Sequence, residues 1–240
     1  MALPILSKDE VHIWTIDLNR CNADVSLLTH SEISRANGFV DLHKRQRFIR
    51  ARAALRKVLS CYIGKEWAFQ DFNYGPSGKP SLSYKVDLNF NMSYSKNIAM
   101  IAVSSCRDVG IDIQAVEQAV DPESVSEFVY SPSEVAYLLS LNSVERKMAF
   151  SEIWVRKEAY VKALGAGFSR PLYTFSVSSV PNDIDALCED EMNHLATKEW
   201  RLTYINAPDG YSAAVAAKGR DWHYIEIEEP LDFIYYGDHS

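Results

Sequence analysis

The stretch Trp154-Val-Arg-Lys-Glu-Ala-Tyr-Val-Lys-Ala-Leu-Gly-Ala-Gly-Phe168 puts an acid, three bases and two large aromatics on one predicted helix. Composition from about Ser143 to Leu164 favours helix, and Gly165 and Gly167 supply a C-terminal stop. Trp154, Glu158 and Lys162 are spaced four apart and share one stripe. Taken alone, Glu158 and Lys162 would be an exposed ion pair worth about 0.2–0.5 kcal/mol to the helix, and Trp154 reads as core packing.

Working outward, Ser131-Pro-Ser-Glu134 combines an N-cap serine, proline at the first helical position and glutamate at the third, so a helix starts here with Val135, Leu138 and Leu139 facing inward. Before it, Asp108-Val-Gly-Ile-Asp-Ile-Gln114 is a short predicted strand in which Asp112 interrupts two isoleucines. An unpaired buried carboxylate is costly, so Asp112 either faces solvent or is held in a site. After the helix, Leu172–Ser178, Trp200–Ile205, Tyr211–Ala217 and Trp222–Ile227 read as strands, and Asn206-Ala-Pro-Asp-Gly210 as a hairpin turn. The stretch 181–198 is acidic and polar, a loop with some helix.

In the first half, Val11-His-Ile-Trp-Thr-Ile-Asp-Leu18 alternates as a strand. Seven of the chain's 25 lysines and arginines lie between Lys44 and Lys57, on an amphipathic helix whose apolar positions include Phe48, Leu55 and Val58 and which ends near Gly64. The run is either a solvated face or the seat of an anionic ligand. Phe72-Asn-Tyr-Gly-Pro-Ser-Gly-Lys-Pro-Ser81 lacks the glycine spacing and the Lys-Ser/Thr pair of a P-loop and reads as a turn carrying Lys79. Residues 88–97 and Ile98-Ala-Met-Ile-Ala-Val-Ser104 form a predicted hairpin bearing Ser93 and Tyr94. Helix followed by strands thus occurs twice, and Ile98–Ser104 echoes Tyr211–Ala217. The fold class expected is α+β, with two similar α+β lobes spanning 1–106 and 107–240.

Composition limits the function. The net charge of −7 and pI near 5.4 speak against non-specific nucleic-acid binding, and no apolar run is long enough to span a membrane. The six histidines show no zinc spacing, so any metal must rely on oxygen ligands. Cys21, Cys61, Cys106 and Cys188 form no C-x-x-C pair and read as reduced, mostly buried thiols. A cytoplasmic monomer is expected.

In order along the chain, Gly78-Lys-Pro80, Asn91-Met-Ser-Tyr-Ser95, Gly110-Ile-Asp-Ile113 and Trp154-x-x-Lys-Glu-Ala-Tyr-x-Lys162 resemble the 4′-phosphopantetheinyl transferase superfamily. The long, two-lobed type, serving fatty-acid, polyketide and nonribosomal peptide carriers, is the nearest pattern, and the similarity runs from about Arg45 to Ala217. The resemblance implies transfer of the phosphopantetheinyl arm of coenzyme A to a serine of an apo acyl or peptidyl carrier protein. Adenosine 3′,5′-bisphosphate leaves, Mg²⁺ assists, and the site lies between the lobes. It further implies Asp112 and Glu158 as metal ligands, Glu158 as base and Lys162 as the cation near the leaving phosphate. Arg56, Lys79, Ser93, Tyr94 and Lys157 are the implied coenzyme A contacts.

Two positions depart from the family pattern. Tyr94 stands where most relatives have His, replacing a cation with a neutral phenol, and Gln114 stands where many have a second metal-binding Glu, which removes a negative charge. Both departures suit the alternative of a non-catalytic coenzyme A or carrier-protein binding module. Retention of Asp112, Glu158 and Lys162 suits an active holo-[acyl-carrier-protein] synthase type enzyme.

Overall fold

The computed structural model describes residues 5–84, 86–118, 129–180, 183 and 185–227. Part of the expected loop 181–198 lies outside the described residues. In chain order the elements are β1 (Glu10–Asp17), α1 (His30–Asn37), α2 (Leu42–Ile63), α3 (Lys65–Ala68), β2 (Asn73–Tyr74), β3 (Pro80–Ser81), β4 (Asn89–Ser95), β5 (Ile98–Ser104) and β6 (Val109–Ala115). Then follow α4 (Pro132–Ser140), α5 (Ser143–Leu164), β7 (Phe175–Val177), β8 (Leu187–Asp190), α6 (Ala196–Glu199), β9 (Trp200–Tyr204), β10 (Tyr211–Lys218) and β11 (His223–Glu226). The architecture is mixed α+β.

The two long helices have the ends their sequences dictate. Asp41 caps α2 by accepting from the His43 and Lys44 backbone N–H groups. Asn142 caps α5 in the same way, and Gly165 ends it at φ +66°, a left-handed conformation that suits glycine. Ser131 and Glu134 form the expected capping box on α4, with Pro132 in the first turn. Leu138 is buried there, but Leu139 is 61% exposed, so the inward stripe of α4 is narrower than the sequence suggests.

Two sheets lie back to back between the long helices. The first has the order β11-β1-β5-β4 and the second β6-β10-β9. Alternation along β1 sends Trp14 and Ile16 outward onto Ala51, Leu55 and Val58 of α2, while Val11 and Ile13 face inward. There they meet Met100 and Ala102 of β5, Ile111 and Ile113 of β6, and Val215 of β10. The outer face of the second sheet, including Ala214, Ala216 and Leu202, packs on Ile153, Tyr160 and Val161 of α5. Gly110 is the closest approach of β6 to α5. A Cβ there would stand 2.2 Å from the Ala159 carbonyl oxygen and 2.3 Å from the Ala163 nitrogen.

One arrangement recurs. The order β1-β5-β4 in one sheet matches β6-β10-β9 in the other, and the echoing segments β5 and β10 are both central. A second recurrence is chemical. Glu32, third residue of the α1 capping box, receives Arg56 Nε of α2 at 2.7 Å, and Glu134, third residue of the α4 capping box, pairs with Lys157 Nζ of α5 at 2.8 Å. Each long helix is thus tied by a buried cation to the cap of the short helix before it. β11 breaks the pattern by leaving the C-terminal half and pairing in parallel with β1. β8 escaped the sequence reading because its segment is polar, yet Leu187 and the adjacent Ala186 are buried. All four cysteines are free; Cys21 is buried, but Cys106 and Cys188 are exposed, contrary to the expectation of mostly buried thiols.

Candidate active site

Strand alternation puts Gly110, Asp112 and Gln114 on the face of β6 that meets α5, while Ile111 and Ile113 go to the core between the sheets. Four-residue spacing on α5 aims Trp154, Glu158 and Lys162 at one cleft. Asp112 and Lys162 meet where the two faces converge, with Lys162 Nζ 2.5 Å from Asp112 Oδ1. From the other sheet, the Ser93 hydroxyl of β4 donates to the same Asp112 oxygen at 2.7 Å and accepts from Lys162 Nζ at 3.0 Å. Asp112 is only 5% exposed, whereas Lys162 keeps 29% of its side chain accessible. Gln114 is half-buried, one step further along β6 on the same face.

Glu158 is half-buried beside this pair. Burial pushes its carboxyl pKa above the usual range, the Asp112 charge pushes the same way, and Lys162 opposes both. The cleft in front has a volume of about 530 Å³, and its walls include Met92, Lys79, Val161 and Leu172. Trp154 lines it too; the indole packs partly on the C-terminal core but is half-exposed, so core packing describes only part of its surface.

Lys79 reaches the cleft from the β2–β3 turn, in which Gly78 sits at φ +81°. Its Nζ donates to the Ala163 carbonyl at 2.9 Å, and Ser77 Oγ donates to the Ala166 carbonyl at 2.7 Å. The turn therefore completes the C-terminal end of α5, where free carbonyls and the helix dipole favour a cation. Burial lowers the Lys79 ammonium pKa, and Asp108 opposes that shift.

Two residues implied by the resemblance stand elsewhere. Arg56 is fully buried, bonded to Glu32 and to the Ala68 and Gln70 carbonyls and stacked 4.5 Å over the Phe72 ring. These contacts tie it to the N-terminal core, and it is not part of the cleft lining. Lys157, also fully buried, bonds Glu134 and the Leu172 and Phe175 carbonyls and is not part of the cleft lining that holds Glu158. Its burial lowers its ammonium pKa, with Glu134 opposing. Tyr94 points to the face of β4 opposite Ser93 and is 37% exposed. Arg170, which sequence reasoning passed over, lines the cleft and is paired with Asp190, which also accepts from the Tyr160 hydroxyl.

The model of the 4′-phosphopantetheinyl transferase superfamily matches residues 108–216, the segment that carries Asp112, Glu158 and Lys162. The 4′-phosphopantetheinyl transferase HetI of Nostoc sp. strain PCC 7120 is 32% identical over 231 residues, covering 91% of this chain and 94% of the relative. The chain belongs to the 4′-phosphopantetheinyl transferase superfamily. The Escherichia coli K12 transferase AcpT is 30% identical over 51% of this chain and 59% of its own length. A Bacillus subtilis 4′-phosphopantetheinyl transferase is 27% identical over 62% and 71%. A solved apo-ACPS structure from Chronobacterium ammoiniagenes covers 48% of this chain and 98% of its own at 22% identity, with a TM-score of 0.34. Membership makes the protein a transferase of the phosphopantetheinyl group. Among the described residues, no helix is long and apolar enough to cross a membrane.

Proposed function

We propose that this transferase moves the 4′-phosphopantetheinyl arm of coenzyme A to a serine hydroxyl of an apo acyl or peptidyl carrier protein, releasing adenosine 3′,5′-bisphosphate, as a holo-[acyl-carrier-protein] synthase type enzyme. The observation that carries the proposal is the convergence of Ser93 from one sheet and Asp112 from the other on Lys162, which with Glu158 lines a single cleft from one face of α5. Two similar lobes with the site at their junction are part of the same proposal.

The donor set suits magnesium. Two carboxylates stand close enough for Asp112 to raise the Glu158 pKa, and the Gln114 amide lies on the same face of β6. That repulsion is what a hard dication with oxygen ligands relieves. Among the described residues no cluster of three or more His, Cys, Asp or Glu side chains offers a rival site. Asp112 and Glu158 would hold the ion, with Gln114 contributing directly or through water. When bound, magnesium supplies neutralising charge to the pyrophosphate.

The chain's own groups account for the rest. Glu158 lines the cleft one helical turn before Lys162 and accepts the carrier serine proton, directly or through a water. Lys162 is accessible enough to exchange its contacts with Asp112 and Ser93 for the departing phosphate, and its ammonium offsets the charge that develops there. Lys79 and Ser93 contribute further phosphate contacts. Tyr94 offers a neutral hydroxyl on the outer face of β4.

Intact-mass spectrometry of several apo carrier proteins, incubated with the protein, coenzyme A and Mg²⁺, tests the proposal. The expected result is one phosphopantetheinyl gain per carrier serine, lost in Glu158→Ala. Tight coenzyme A binding with no gain on any carrier would replace the enzyme with a binding module.

A further inference from the structure

Asn91, Ser93 and Ser95 alternate along β4 and point to one face, and all three are buried. Ser93 belongs to the site already described. Its two neighbours turn to the backbone of β6. Asn91 Oδ1 accepts from the Ile111 N–H at 2.9 Å, and Ser95 Oγ accepts from the Ala115 N–H at 3.0 Å. Both bonds join residues 20 apart in sequence, so β4 and β6 run parallel and in step. The opposite edge of β6 is paired to β10 by ordinary backbone bonds. Side chains of β4 therefore stand where a continuous sheet would have carbonyl groups, and they stitch the two sheets together.

The stitches bracket Asp112. One holds the residue before it and the other the residue three after it. Within this bracket Asp112 Oδ1 meets the Ser93 hydroxyl at 2.7 Å and Lys162 at 2.5 Å. A slip of β6 by one residue would exchange its faces and send Asp112 toward the core that holds Ile111 and Ile113. Smaller shifts would still open the Ser93–Asp112 contact, because Ser93 and Asp112 sit on different sheets.

We infer that Asn91 and Ser95 are positioning residues of the transfer reaction: by accepting from the β6 backbone they fix the register that sets Asp112 beneath Ser93 and Lys162. This rests on the transferase activity proposed above. Asn91 also lines the cleft beside Lys79, whereas Ser95 does not, so loss of the Ser95 bond acts on turnover more than on coenzyme A affinity.

The test compares the full-length wild-type protein with Asn91→Ala, Ser95→Ala and Ser95→Thr, and with Val58→Ala as a control in the N-terminal core. Carrier mass gain yields kcat and the KM for coenzyme A, and thermal unfolding is recorded for each protein. Expected are kcat losses of about tenfold or more in both alanine variants, since misplacement near 1 Å costs up to about a hundredfold, with KM changed less than about threefold in Ser95→Ala, whose side chain lies outside the cleft lining. Ser95→Thr, which keeps the hydroxyl, recovers most of the lost turnover. Val58→Ala lowers Tm and leaves kcat unchanged below its own unfolding range. Should Asn91→Ala not fold, the Ser95 pair decides alone. An active wild type with kcat retained in Ser95→Ala, or with Ser95→Thr no better than Ser95→Ala, overturns the inference by itself. A wild type inactive on every carrier overturns the reaction and the inference together.

Discussion

Adding one methyl group at Gly110 tests how tightly the face of α5 that carries Glu158 and Lys162 depends on its contact with β6. In Gly110→Ala the new Cβ meets the Ala159 carbonyl oxygen at 2.2 Å and the Ala163 nitrogen at 2.3 Å, whereas ordinary contact begins at 3.4 Å. The obstructing atoms are helix backbone and cannot rotate aside. Restoring contact needs a separation of about 1.2 Å, the difference between 3.4 and 2.2 Å. The turn that must move runs from Ala159 to Ala163, follows Glu158 directly and contains Lys162. Asp112 stays on β6, so its 2.5 Å contact with Lys162 lengthens toward loss. Overpacking of this kind costs about 1–3 kcal/mol or more, and each kcal/mol lowers Tm by about 2–4 °C at this size. A misplacement near 1 Å costs up to about a hundredfold in turnover. The assay pairs thermal unfolding with carrier mass gain below the Tm of the variant. A Gly110→Ala protein with unchanged Tm and unchanged turnover would refute the close-contact reasoning.

Three more expectations concern buried charge. Arg56→Leu removes the close partner of Glu32, leaving it only Arg52 Nε at 3.9 Å, and should cost about 3–5 kcal/mol in urea unfolding, while the KM for coenzyme A of the surviving folded protein stays near that of the wild type. Lys157→Met likewise strands Glu134 in the C-terminal half and should destabilise by about 3–5 kcal/mol; wild-type stability in that variant would contradict the clamp. Glu158 has a raised pKa in the folded state, so between its unfolded and folded values the native protein holds the extra proton and stability falls as pH rises. In Glu158→Gln that component should vanish, leaving a shallower fall in urea midpoint as pH rises through and above the normal glutamate range. A slope identical to wild type would remove Glu158 as its source.

The sequence was most informative where a residue type has one physical use. Gly165 after an apolar-periodic run and Ser131 three before Glu134 marked helix ends that the structure shows. The four-residue spacing of Glu158 and Lys162 forecast a shared face, and the apolar neighbours of Asp112 posed the choice between solvent and a site. What sequence alone lacked was the partner from the other sheet, since nothing local indicates that Ser93 meets Asp112. Arg56 and Lys157 were read from motif membership and charge density, and helical spacing carried a further signal, that of their burial. Arg56 shares the inward stripe of Phe48, Arg52, Leu55 and Leu59, and Lys157 shares that of Ile153, Tyr160 and Val161. A cation on an apolar stripe needs a buried acid, and both acids lay within recognisable capping boxes.

The parallel pairing of β11 with β1 has a consequence for the order in which the molecule can be assembled. On a ribosome, β1 emerges before every other strand described, yet its outer neighbour is the last of them. A nascent chain paused at Gly219 would carry the catalytic helix and the whole second sheet while β1 still showed an open edge. Ribosome-stalled chains ending before and after His223–Glu226 would separate a folded-looking C-terminal half from completed protease resistance in the N-terminal sheet.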